Sequence, residues 1–140
     1  MHRRLLLEPD AAELSINNIP LSGIDPLRED LRRVQENPCD FERYIQSDLD
    51  VHEILYKFSK SDIVMKTISM VKEYSIRLRY YAEVFGSEGD DSRKKTIESS
   101  TLEHLRILDA IEARDAELLK KLVYDHIRNG TERNTSASNS

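Results

Sequence analysis

Phe41-Glu-Arg-Tyr-Ile-Gln-Ser-Asp-Leu-Asp-Val-His-Glu-Ile-Leu-Tyr-Lys57 is the stretch that decides the fold. Phe41, Tyr44, Ile45, Leu49, Ile54 and Leu55 supply an apolar stripe at helical spacing rather than the strict alternation of a half-buried strand. The spacing predicts a helix beginning near Asp40 and ending at Phe58 or Ser59. Asp48 and His52 are four residues apart within it, and four steps of about 100° return to within about 40° of the start. Asp50 lies about 160° from His52 by the same geometry and is expected to point elsewhere.

Helical spacing continues on both sides. A first helix fits Arg3 to Asn17, with Leu5, Leu6, Ala12 and Leu14 as inward candidates, until Asn18, Pro20, Ser22 and Gly23 break it. A second fits Pro26 to Gln35, capped by Asp25 and ended by Asn37 and Pro38. Downstream, a long helix fits Asp62 to Phe85, and Gly86 to Asp91 is a loop. A further helix includes Leu102 to Glu112. It starts at Ser92 or at Ser100, where Ser100-Thr-Leu-Glu103 would make a capping box. Asp115 can cap a last helix running to about Arg128, with Gly130 as its stop. There is no internal repeat and no convincing strand. The Ser-, Thr- and Asn-rich tail 130–140 has almost nothing to bury and is expected to be disordered, leaving residues 1–129 as one domain.

Composition agrees. The chain has 140 residues, enough for one core without covalent staples, with 34% charged residues and only four glycines and four prolines. The net charge of −5, without any run of lysine or arginine, argues against nucleic-acid binding by this chain alone, because phosphate neutralisation needs a basic face. Cys39 is the single cysteine, so an internal disulfide cannot form, and a reducing cytosol suits it. Apolar stretches fall short of membrane-spanning length, and the leucines after Arg4 reach Glu8 too soon for a signal sequence. A cytoplasmic location without membrane contact is expected.

Three of the four histidines carry the functional signal. His52 follows Asp48 by one turn. His104 sits beside Leu105, Ile107 and Leu108, and His126 beside Leu122, Val123 and Ile127; His2 is terminal and has no such setting. Polar groups next to inward faces need partners. If the helices share a core, three imidazoles and one carboxylate can satisfy one another through a transition metal. The alternative is a buried Asp–His hydrogen-bond network with no metal. This donor set suits zinc first, then nickel, manganese, iron or cobalt. An enzyme of this kind would also need a general base beside the metal. Glu103 is next to His104 but points about 100° away on the helix. With no nucleophile elbow or phosphate loop, no catalytic residue is assigned. A metal-dependent hydrolase and a metal-free helical dimerisation module remain the rival readings.

Several segments carry a family resemblance. Arg4-Leu-Leu-Leu7-Glu8-Pro9-Asp-Ala-Ala12-Glu-Leu14, Asp48-Leu-Asp-Val-His52, Glu103-His104-Leu-Arg-Ile107-Leu108-Asp-Ala110-Ile111, Asp115-Ala-Glu and Asp125-His126-Ile127 stand in order. The chain resembles the C-terminal effector-binding (FCD) domain of FadR-type regulators in the GntR superfamily, from about Arg4 to Ile127. The resemblance implies an all-α antiparallel bundle of about six or seven helices. It implies a divalent ion held by Asp48, His52, His104 and His126, and a small organic acid effector clamped by arginine, with Arg4 the best match and Arg79 the weaker. It also implies a homodimer, for which Tyr74, Tyr80 and Tyr81 are anchor candidates. DNA would be reached only through a winged helix-turn-helix module missing from this chain. Two positions depart from the pattern: Val51 replaces an aromatic residue, and Ser59-Lys60-Ser61-Asp62 has Asp62 in place of an asparagine.

Overall fold

In the computed structural model, residues 2–60, 62, 65, 66 and 90–139 are described, with side chains described over 9–60, 62, 65, 66 and 93–129. Five α-helices appear among the described residues, with no strand: α1 (His2–Ser15), α2 (Ile24–Glu36), α3 (Phe41–Lys57), α4 (Asp90–Glu112) and α5 (Ala116–Asn139). A short 3-10 helix, Leu21–Gly23, leads into α2. The all-α expectation holds. The helix expected over Asp62 to Phe85, with Arg79 and the three tyrosines, lies outside the described residues except for positions 62, 65 and 66.

Helix α3 follows the reading of its sequence closely. The Asp40 carboxylate accepts from the Arg43 backbone N–H at 3.2 Å, an N-cap that satisfies one of the unpaired donors of the first turn. Tyr44, Ser47, Asp48, Val51, His52 and Leu55 are buried and share one stripe. Asp50 points away, accepting from Gln46 Nε2 at 2.9 Å on the exposed side.

The main core is built by Ile16, Leu31, Leu55, Leu108, Ile111 and Leu119, all essentially inaccessible to solvent, drawn from the turn just after α1 and from all four later helices. A smaller cluster of Val34, Tyr44 and Ile97 joins α2, α3 and α4, and Phe41 and Ile45 pack against it. Helix α1 lies against α3 and α5, α2 against α3 and α4, and α4 against α5.

Four boundaries or faces differ from expectation, each for a physical reason. Leu14 is 57% exposed, because Ala11, Ala12, Ser15 and Ile16 form the buried side and Leu14 is two steps, about 200°, beyond Ala12. Helix α2 starts at Ile24, directly after the 3-10 turn, so Asp25 lies in its first turn and makes no cap. Helix α4 begins at Asp90, so Ser100 is mid-helix and forms no capping box; its hydroxyl accepts from the Tyr44 hydroxyl at 3.0 Å. The expected stop at Gly130 falls inside α5.

At the α4–α5 turn a non-glycine residue takes the left-handed conformation, as Lys60 also does after α3. Arg114 has φ 54°, its N–H bonds the Ile111 carbonyl, and the Asp115 N–H reaches back to Ala110. This is a Schellman-type ending in which glycine is the usual residue. The Arg114 guanidinium donates to the Ile16 carbonyl, tying the turn to the end of α1. Asp115 then caps α5, accepting from the Leu118 N–H at 3.1 Å as expected. The resulting hairpin brings the His104 and His126 rings into edge-on contact, with centroids 4.6 Å apart and planes inclined at 63°.

Candidate metal centre

Asp48 and His52 come from α3, His104 from α4 and His126 from α5, and all four are buried. Each occupies a position on its helix's inward stripe: Val51 and Leu55 flank the α3 pair, Ile107 and Leu108 follow His104, and Val123 and Ile127 bracket His126. Helical periodicity therefore aims four polar side chains into an apolar core.

Their donor atoms close a ring. Asp48 Oδ1 lies 3.2 Å from His52 Nε2 and 3.0 Å from His104 Nε2. His126 Nε2 lies 3.2 Å from His52 Nε2 and 3.1 Å from His104 Nε2. One ligand atom from each residue lies within 4.8 Å of every other, the arrangement that a single cation can bridge. Donors about 2.1 Å from a common centre sit about 3.0 Å apart at right angles and about 3.4 Å apart at the tetrahedral angle. The observed edges fall in that interval. Pairwise hydrogen bonding needs no common focus, whereas a metal does.

The electrostatics suit a ligand set. Burial pushes the His126 imidazole down to about 4, helped by repulsion from His104 and His52 and opposed by its hydrogen bond to Glu103 and by Asp48. It is therefore neutral at pH 7, the state in which a ring nitrogen has a lone pair to donate. The Asp48 carboxylate would bring one negative charge to a divalent cation, and a neutral His126 would bring a ring-nitrogen lone pair.

Glu103 is the residue that the sequence reading missed. It does point away from the His104 side of its own helix, as the 100° step requires. Helix α5 packs on that flank, and Glu103 Oε1 lies 3.0 Å from His126 Nδ1 while Oε2 accepts from Asn129 Nδ2 at 2.8 Å. The available signal was the i, i+3 pairing of His126 with Asn129, which sets both on one face of the last helix.

The FCD domain model matches residues 1–129. The chain belongs to the FCD family. FCD domains are the C-terminal effector-binding domains of GntR-family transcription regulators, which are not enzymes. The buried Asp48, His52, His104 and His126 of this FCD domain could hold a metal ion, as the resemblance implied. The chain matches no curated protein sequence. Of the two effector candidates, the Arg4 side chain and the whole of Arg79 lie outside the described residues. Among the described residues, no helix is long and apolar enough to cross a membrane.

Proposed function

We propose that this FCD domain senses a small carboxylic acid through a divalent metal held by Asp48, His52, His104 and His126. The observation that carries the reading is the closed ring of four buried donor atoms from three helices, with edges of 3.0–3.2 Å. Zinc is the first choice for three imidazoles and a carboxylate, with nickel, cobalt, iron or manganese compatible. A bound ion would supply Lewis-acid attraction for the effector's carboxylate.

The chain's own residues supply the rest. Asp48 offsets part of the cation's charge, and the core around Val51, Ile107 and Val123 keeps bulk water from competing. Arg4 and Arg79 are the proposed carboxylate clamps, since a guanidinium fork matches a carboxylate's two oxygens. Three helices meet at the centre, so an effector that favours one arrangement of them changes the bundle as a whole. In a homodimer that change would alter the spacing of two winged helix-turn-helix modules and hence DNA affinity. Glu103 has its two oxygens committed to His126 and Asn129, so it is poorly placed as a general base, and sensing is favoured over hydrolysis.

Calorimetric titration of zinc-loaded and metal-stripped chain with acetate, lactate, succinate and citrate tests the reading. Saturable binding of at least one acid to the loaded form alone is expected. Equal binding to both forms, or binding to neither, contradicts it.

A further inference from the structure

We infer that Glu103 is a positioning residue that selects the tautomer of His126 and so prepares it to bind the metal; this rests on the metal reading of the centre. The two nitrogens of His126 face different partners. Nδ1 lies 3.0 Å from Glu103 Oε1, and Nε2 lies among the donor atoms of the ring. An ionised carboxylate only accepts hydrogen bonds, so the proton of a neutral imidazole must sit on Nδ1. The Nε2 lone pair is then left facing the centre. The opposite tautomer would point an N–H into the site and place a bare Nδ1 against a carboxylate, a repulsive pairing.

The carboxylate is itself fixed. Asn129 Nδ2 donates to Glu103 Oε2 at 2.8 Å, and the Glu103 side chain is only 16% exposed. His126 and Asn129 stand on one face of α5, so a single α4 carboxylate holds two successive turns of α5. A ligating histidine held through its second nitrogen by a carboxylate is more basic at the metal, and loss of such a partner typically lowers metal affinity about 10–100-fold.

The test uses the full chain with three variants, Glu103→Ala, Glu103→Gln and Asn129→Ala, checked for helicity by circular dichroism. Two readouts are taken: the His126 tautomer in the metal-stripped protein at pH 7, from long-range proton–nitrogen NMR, and zinc affinity, by competition with a chromogenic chelator. The native chain is expected to show the Nδ1–H form. Glu103→Ala should lose that preference and bind zinc about 10–100-fold more weakly. Glu103→Gln, whose amide oxygen still accepts, should recover the tautomer and part of the affinity, and Asn129→Ala should shift both in the same direction as Glu103→Ala but less. If Glu103→Ala keeps either the Nδ1–H form or native zinc affinity, the inference is overturned. If Glu103→Ala does not fold, the Asn129→Ala result decides by the same criteria. A native chain that binds no zinc yet loses the tautomer on Glu103 removal sinks the metal reading and leaves the positioning role standing.

Discussion

Acidifying the metal-stripped chain from pH 7 to pH 4 is expected to cost about 3 kcal/mol of stability through His126 alone. The imidazole is pushed down to about 4 in the folded chain, chiefly by burial, against 6.5 for an ordinary histidine. Between those values the unfolded chain holds a proton that the folded chain refuses. Stability therefore rises with pH across the window, and is lost as pH falls from 6.5 towards 4. Each pH unit contributes about 1.4 kcal/mol once the unfolded histidine is protonated, and below about 4 this contribution flattens. Against a typical total of about 5–15 kcal/mol the loss is large. Urea unfolding of the chelator-treated chain, followed by circular dichroism at half-unit pH steps, measures it. His126→Asn, which has no titrating imidazole, serves as the reference, so that other groups cancel. Parallel stability curves for the two proteins between pH 7 and 4 would refute the argument that His126 is held neutral by its surroundings.

Three further substitutions probe the frame around the centre. Leu108→Ala deletes a fully buried side chain of the main core and should cost about 2–5 kcal/mol by urea denaturation; a cost below 1 kcal/mol would mean the core is not packed as described. Arg114→Ala should be less stable than Arg114→Gly by about 1 kcal/mol, because both lose the bond to the Ile16 carbonyl but only glycine relieves the positive φ; equal stabilities would dismiss backbone strain at that turn. Arg28 bridges α2 to Asp109 and Glu112 of α4 at 2.7 and 3.1 Å in a largely solvated setting. Arg28→Ala should therefore cost at most about 1 kcal/mol, falling further in high salt, and a larger, salt-independent loss would show that the bridge is more than a surface ion pair.

Local chemistry was readable from the chain, and contacts between distant segments were not. Helix α3 and its Asp48–His52 face follow from periodicity alone, and the Asp115 cap from the residue type at a helix start. The same local rules misled at Ser100-Thr-Leu-Glu103. That segment has the spacing of a capping box, yet Ser100 takes the Tyr44 hydroxyl from α3 and Glu103 takes His126 and Asn129 from α5. Leu14 was assigned inward as a large apolar residue, but the close approach of α1 to its neighbours is made by Ala11 and Ala12. The four donor residues could be nominated from the sequence, because each sits on an apolar stripe. Their convergence to edges of about 3.1 Å depends on how three helices cross, which only the assembled bundle displays.

The central claim is that Asp48, His52, His104 and His126 form one metal site. Its most direct test is elemental analysis by plasma mass spectrometry of the purified, untagged chain beside His104→Ala. Near-stoichiometric divalent metal in the native chain, falling well below that in the variant, is the predicted result. Absence of metal from the native chain even after zinc and nickel are offered, or equal metal in both proteins, would contradict it.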